Sequence, residues 1–308
     1  MSILIVSTNK DIKPWIKEFL QKDKTLDIEI FPTVTNKNKI TMVLMWSKSN
    51  IDFKEYRNLK CISSMGAGVN HILANTTINK DVAITKIVDE DLVNSMWEYL
   101  LTCTMNVVTN QYKYINQKHN QLWKQQLSKP INQYTIGIMG LGQLGKYTAI
   151  NFEKIGFKVK GYSNTIKDIA NIKCYNKKEE KEFKKDVDIL INLMPLTKEN
   201  YEIFDLEFFK SLKKDCYFVN VGRGEHLKDD DLIIALEQNV LSGATLDVFR
   251  NEPLENHHPF WNNYKITITP HSASITNPSS VINQILTNYK KIHKNEKILN
   301  QIDKTKGY

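Results

Sequence analysis

Cysteine is sparse in this chain: Cys61, Cys103, Cys174 and Cys216 are the only 4 in 308 residues, and they stand far apart. They make neither a CxxC pair nor a zinc-type spacing with histidine, so no disulfide framework and no metal site is implied. The thiols read as reduced and mostly buried. No apolar run approaches the roughly 20 residues that span a bilayer. The amino terminus, MSILIVSTNK, lacks a basic region followed by a long apolar stretch and a small-residue cleavage site. It reads as a first β-strand, and the expectation is a cytoplasmic protein without membrane association. An RNA-binding signature and a basic stripe interleaved with aromatics are missing as well. The formal charge of +8 is carried by scattered lysines, which describes a solvated surface with a mild attraction for anionic substrates rather than a nucleic-acid partner.

What is present is alternation. A length of 308 residues with 41% hydrophobic and 25% charged residues fits two ordinary globular domains. SILIVS, a helical spacing from Lys13 to Gln21, LDIEIF, the run Met42 to Trp46, LKCISSMG and VAITKI make a small parallel α/β domain over residues 1 to about 90. A single long helix is expected from Asn94 to Gln117, with Met96, Leu100, Cys103, Val107 and Ile115 on one face. Residues 117 to 133, interrupted by Pro130, read as a connection. YTIGIM, FKVKGY, VDILINL, CYFVNVG, SGATLDVF and KITITP then form a second, doubly wound sheet. A last helical pattern from Pro278 to His293 is free to return to the first domain.

Between YTIGIM and the next helical pattern stands GLGQLG, with Gly140, Gly142 and Gly145. The first glycine permits a tight turn, the second a close approach of backbone to a pyrophosphate, and the third close helix packing. The helix amino terminus adds unpaired N–H donors. The context of strand, turn, helix and a second strand is what makes this a dinucleotide site rather than a structural turn. At the end of that second strand, where an acid holding a ribose 2′-hydroxyl is common, the chain has Ser163, Asn164, Thr165 and Lys167. No carboxylate there repels a 2′-phosphate, so NADPH is favoured and NADH is the alternative.

Arg223 follows CYFVNVG, Glu252 follows SGATLDVF after a short loop, and His271 follows KITITP. Alone, each has a plain reading as a surface cation, a loop carboxylate and a packed or capping histidine. All three lie past strand carboxyl ends, the edge where open parallel sheets bind ligands. Reduction of a 2-oxo acid needs a hydride, a proton for the developing alkoxide and a cation that orients the carboxylate and polarises the carbonyl. His271 suits the acid and Arg223 the anion clamp, because a guanidinium matches a carboxylate with paired planar donors. Glu252, in contact with the imidazole, would favour its charged form against an ordinary pKa of about 6.5. Asp247, at a strand end, is placed to hold a nicotinamide amide or to serve as a turn residue.

VNVGRGEHLKDDDLIIAL, LDVFRNEPL, TITPHSASIT, the glycine turn and LMPLT resemble, in order, the signature segments of the D-isomer-specific 2-hydroxyacid dehydrogenase family. MGAGVNHIL, LINLMPLT and the terminal QIDKTKGY are most similar to its bacterial glyoxylate/hydroxypyruvate reductase A type. The resemblance implies two Rossmann-like doubly wound parallel-sheet domains. The dinucleotide-binding domain, residues 99–274, is inserted in a substrate domain of residues 1–98 and 275–308. It implies Arg223, Glu252 and His271 as the catalytic set, and substrate contacts from Trp46, Gly66, Ala67, Gly68, Arg223 and His271. Its implied cofactor contacts are Gln143, Leu144, Ser163, Leu193, Met194, Pro195, Val221 and Asp247, which join Gly140, Gly142, Gly145, Asn164, Thr165, Lys167 and Gly222 of the turn and the strand ends as the candidate cofactor site. A homodimer built through the nucleotide domains is implied too. Asn164 and Ile166 stand where the reductase type tends to carry arginines.

The activity so implied is reduction of glyoxylate or hydroxypyruvate with NAD(P)H. The alternatives are another D-2-hydroxyacid dehydrogenase and an interaction protein that senses the dinucleotide. An end at Tyr308 leaves no room for a regulatory domain, which counts against the phosphoglycerate type, and retention of the three polar residues counts against the sensor. A glycine turn preceded by a whole domain counts against an L-lactate or malate dehydrogenase.

Overall fold

The structure, a computed structural model, describes residues 1–8 and 11–305. Lys306, Gly307 and Tyr308 of the terminal QIDKTKGY segment lie outside the described residues. Two compact units are formed, one from Met1–Leu92 with Ile275–Tyr308, the other from Val93–Ser274.

The first unit contains β1 (Ser2–Val6), α1 (Lys13–Lys22), β2 (Asp27–Ile30), β3 (Ile40–Met45), β4 (Cys61–Ser64), α2 (Asn70–Leu73) and β5 (Ala83–Thr85). The five strands are all parallel in the order β2-β1-β3-β4-β5. Strands covered on both faces read as unbroken apolar runs. Accordingly Ile3 and Ile5 pack on one face with Met42 and Leu44, and Leu4 and Val6 pack on the other with Val43 and Met45. The helix Pro278–Lys294 buries Val281, Ile282, Ile285 and Ile292 in the first of these clusters together with Trp15 and Phe19 of α1. The returning helix read from the sequence is therefore part of this unit's core.

The second unit follows with α3 (Glu90–Val108), α4 (Gln111–His119), β6 (Thr135–Met139), α5 (Gln143–Lys154), β7 (Lys158–Tyr162) and β8 (Lys173–Tyr175). Then come α6 (Glu180–Lys184), β9 (Ile189–Asn192), α7 (Leu206–Lys210), β10 (Cys216–Asn220), α8 (Asp229–Glu237), β11 (Leu241–Leu246) and β12 (Ile266–Ile268). Its seven strands are parallel in the order β8-β7-β6-β9-β10-β11-β12. The order reverses between β6 and β9, which opens a crevice outside their carboxyl ends. Alternation inside each strand serves both faces. Ile189, Ile191, Tyr217 and Val219 join Leu100 of α3 and Phe152 of α5, while Leu190 and Phe218 join Phe209 of α7 and Leu236 of α8.

Two expectations need correction. The helix expected from Asn94 to Gln117 is two helices, broken at Asn110, which is buried and takes φ 58°. Asparagine tolerates this left-handed conformation better than most residues, and its side-chain amide donates to the Leu127 carbonyl at 3.3 Å. The break rotates the face, so that Met96, Leu100, Cys103 and Val107 are buried but Ile115 is 59% exposed. The short strand β8, KCY, gave no periodic signal because three residues flanked by polar chain are too few to show one.

Candidate active site

The glycine turn sits where the strand order reverses. Gly140 follows β6 with φ 102°, and a Cβ on it would lie 2.6 Å from the Leu193 carbonyl carbon. A Cβ on Gly145, in the first turn of α5, would lie 1.9 Å from the Gly140 carbonyl oxygen. The turn and the helix can thus meet only without side chains. Gly142 differs: no atom stands within 4 Å of the position its Cβ would take. It is the N-cap of α5 and gives the helix no side-chain cap, so the first N–H groups of the helix, from Gln143 and Leu144, are not capped by it. An open, positive, uncapped helix end beside a side-chain-free turn fits a pyrophosphate.

Around this turn the other expected cofactor residues are arranged by the sheet. Leu193, Met194 and Pro195 leave the end of β9, and the Leu193 N–H donates to the Met139 carbonyl at 2.8 Å. Val221 and Gly222 leave β10, and both are buried. Ser163 follows β7, and its hydroxyl donates to the Thr165 carbonyl at 2.7 Å. That bond curls the loop, leaving Asn164, Thr165, Ile166 and Lys167 exposed.

The three polar residues read from the strand ends are brought onto the same edge of the second unit. His271 Nδ1 and Glu252 Oε2 are 2.7 Å apart, with side chains 41% and 34% exposed. Glu252 Oε1 accepts the Phe249 N–H at 3.0 Å, so the carboxylate is fixed at both oxygens. Burial disfavours its charge, but the His271 hydrogen bond and charge, the Phe249 N–H and the Arg223 charge outweigh that and hold it below the usual glutamate range. Since Nδ1 is committed to Glu252, Nε2 is the ring atom that can exchange a proton with a ligand. Arg223 is partly buried, and burial lowers its pKa against the raising charges of Glu225 and Glu252, although a guanidinium stays protonated. Its Nη1 donates to the Gly222 carbonyl at 2.6 Å. Gly224, next to it, is pressed on the chain after β11, where a Cβ would lie 1.9 Å from the Phe249 carbonyl carbon.

Asp247 anchors the histidine segment. It is 1% exposed. Its carboxylate accepts the Thr269 hydroxyl at 2.6 Å, the Ser272 N–H at 2.8 Å and the Ala273 N–H at 3.0 Å. Burial pushes its carboxyl above the usual range against those donors. Its carbonyl receives the His271 N–H at 2.9 Å, which holds His271 at φ 51°. Three of the roughly four acceptor positions of a carboxylate are thus used by the chain, leaving one for the nicotinamide amide expected there. Tyr99 of α3 extends the chain of bonds, its hydroxyl lying 2.6 Å from that of Thr269.

A second buried network was not read from the sequence. Asn192, Asn220 and His226 are each 0% exposed. Asn192 Nδ2 donates to Asn220 Oδ1 at 3.0 Å and lies 2.9 Å from His226 Nδ1, and Asn192 Oδ1 accepts the Met194 N–H at 3.1 Å. Asn220 Nδ2 donates to the Arg223 carbonyl at 3.1 Å, and the Arg223 N–H donates to His226 Nδ1 at 3.2 Å. Burial first, with the Arg223 charge, pulls His226 down to about 4, so the ring is neutral near pH 7. The available signal was a polar residue closing each of two apolar strands.

Trp46, Gly66, Ala67 and Gly68 belong to the first unit. The Trp46 N–H extends the β1–β3 ladder to the Val6 carbonyl at 3.0 Å, and its ring lies 3.4 Å from the position of a Gly66 Cβ. Ser64 Oγ accepts the Gly66 N–H at 3.1 Å and donates to the Gly68 carbonyl at 2.6 Å. Of the three amides expected to receive a carboxylate, that of Gly66 thus has a partner within the chain. Among the described residues no group of three or more His, Cys, Asp or Glu could hold a metal, and no helix is long and apolar enough to cross a membrane.

Comparison with known proteins agrees with this fold. Residues 101–273 match the family model for the D-isomer specific 2-hydroxyacid dehydrogenase NAD binding domain. Glyoxylate/hydroxypyruvate reductase A of Serratia proteamaculans is 34% identical over 271 residues, 86% of this chain and 87% of that protein. A D-isomer specific 2-hydroxyacid dehydrogenase of Xanthobacter autotrophicus Py2, solved with NADPH and MES, superposes with TM-score 0.92 at 27% identity, covering 100% of this chain and 99% of its own. The NADPH-dependent glyoxylate/hydroxypyruvate reductase of Sinorhizobium meliloti, solved with NADP and sulfate, gives TM-score 0.92 at 26% identity with 100% of both chains covered. The fold, the glycine turn and these likenesses converge: the chain belongs to the D-isomer specific 2-hydroxyacid dehydrogenase family and is an NAD(P)-dependent oxidoreductase.

Proposed function

We propose that the chain reduces glyoxylate or hydroxypyruvate to the 2-hydroxy acid, with NADPH favoured over NADH. The observation that carries this reading is the 2.7 Å bond between Glu252 and His271 Nδ1, made on the sheet edge that also bears the glycine turn and Arg223. In this reading the second unit is the dinucleotide-binding domain and the first the substrate domain. Gly140, Gly142, Gln143 and Gly145 receive the pyrophosphate, and Ser163 with exposed Lys167 faces a 2′-phosphate. When bound, a reduced nicotinamide supplies the hydride. Arg223 orients the oxo acid and polarises its carbonyl, and His271 Nε2 delivers the proton to the oxygen that becomes the hydroxyl. Glu252 keeps Nδ1 protonated and offsets the charge of the imidazolium. In the oxidative direction neutral His271 accepts the proton back.

We also infer a homodimer formed through the second unit. Trp123 and Leu127 are 102% and 98% exposed, and Leu122 and Ile115 of the same stretch of chain are 53% and 59% exposed. Exposed apolar side chains concentrated in one stretch of chain are what an interaction surface offers. A second copy is the occupant that the resemblance implies. The four unpaired cysteines accord with a reducing cytoplasm.

Three results test these readings. Sedimentation equilibrium of the wild type should give twice the chain mass, and Trp123→Lys should shift it toward the monomer; a monomeric wild type overturns the dimer. Steady-state assays should show oxidation of NADPH driven by glyoxylate and hydroxypyruvate, with higher kcat/KM than for NADH or for pyruvate. The absence of turnover with every oxo acid would favour a dinucleotide-sensing protein. Finally, Glu252→Gln removes the carboxylate that holds His271 Nδ1 while keeping much of its shape, so kcat/KM should fall at least tenfold in both directions with the NADPH Kd near wild type. An unchanged kcat/KM in both directions would remove Glu252 from this role.

A further inference from the structure

Arg223 lies at the start of a loop, and a loop arginine has the rotamer entropy of a long side chain working against a fixed geometry. Its backbone, however, is held on both sides by buried side chains. Asn220 Nδ2 donates to its carbonyl at 3.1 Å, and its N–H donates to His226 Nδ1 at 3.2 Å. Asn192 Nδ2 lies 2.9 Å from the same Nδ1. Both neighbours of Nδ1 are donors, so Nδ1 carries no proton and the hydrogen sits on Nε2. Nε2 is buried without a partner of hydrogen-bond geometry, on the side of the Pro195 carbonyl. The ring therefore does not exchange protons with a ligand; it presents one fixed acceptor to the chain. Gly222 permits this closeness, since a Cβ there would lie 2.6 Å from Asn192 Nδ2.

We propose that His226 is the positioning residue of Arg223: its Nδ1, braced by Asn192 and acting with Asn220 on the Arg223 carbonyl, fixes the Arg223 backbone and thereby aims the guanidinium at the oxo acid. The inference rests on the substrate role given to Arg223 above. It asks nothing of His226 beyond one acceptor at one place, which separates it from a packing role. An asparagine at this position puts its Oδ1 close to where Nδ1 stands, and a glutamine puts its amide near Nε2. Packing alone would rank glutamine, the larger of the two, as the better replacement.

The test is a set of four variants, His226→Asn, His226→Gln, Arg223→Lys and the double variant His226→Gln/Arg223→Lys. Readouts are KM and kcat for hydroxypyruvate, the NADPH Kd from protein fluorescence, and the melting temperature. Expected are a kcat/KM for His226→Asn within about threefold of wild type and at least a tenfold loss for His226→Gln. The Kd for NADPH should stay within about twofold throughout, because the Met194 N–H is held by Asn192 and not by His226. Arg223→Lys should itself lose tenfold or more, and adding His226→Gln to it should cost no more than about twofold further. Equal losses in His226→Asn and His226→Gln, or losses that follow melting temperature, overturn the inference while leaving Arg223 in its role. Full additivity in the double variant does the same. Wild-type efficiency in Arg223→Lys overturns the reading of Arg223 and this inference together.

Discussion

At the carboxyl edge of the seven-stranded sheet, backbone approaches backbone more closely than side chains permit, and the site depends on that constraint. Gly145 against Gly140 and Gly224 against Phe249 each leave 1.9 Å for a hypothetical Cβ. The first approach brings the uncapped end of α5 to the point where the strand order reverses. The second presses the Arg223 loop on the chain that leads to Glu252. Real Cβ contacts are not made at such distances, so these glycines set where the loops can go before any polar contact is made. Gly142, with open space around it, is the one member of the turn whose missing side chain makes room for something outside the chain.

Polar groups then fix what the glycines allow. Unpaired buried donors and acceptors are costly, by about 1–3 kcal/mol each, so a buried cluster with matched partners has one arrangement rather than several. Asp247 uses both oxygens on Thr269, Ser272 and Ala273, and its carbonyl on the His271 N–H. The result is a histidine held by its backbone and by Glu252 at Nδ1, with only Nε2 left for chemistry. Asn192, Asn220 and His226 do for the Arg223 backbone what Asp247 does for His271. Both groups hang on ends of strands whose apolar residues are locked between two layers of helices.

What was legible in the sequence is what local pattern carries. The strand–glycine–helix turn, the strand-end positions of Arg223, Glu252 and His271, and the returning helix could be read because each depends on neighbours in the chain. The break at Asn110 was hidden because the apolar spacing continued through it to Ile115, and only the backbone conformation of one residue interrupts it. The network around His226 was hidden for another reason. Asn192 and Asn220 meet because β9 and β10 pair with these two residues as register partners, 28 positions apart in the chain. Register is a property of the sheet, and no window of sequence contains it. The contact between Glu252 and His271 was stated as a condition, and the structure makes it at 2.7 Å.

In the proposed reaction His271 Nε2 delivers the proton, while Arg223 orients and polarises the oxo acid. Single-turnover mixing of NADPH-loaded His271→Gln with hydroxypyruvate, followed by loss of nicotinamide absorbance, addresses it without interference from product release. The expected rate is lower by about 10²–10⁴-fold, the contribution of a positioned general acid, at an NADPH Kd close to wild type. A hydride-transfer rate equal to that of the wild type, with the cofactor bound equally well, would contradict it.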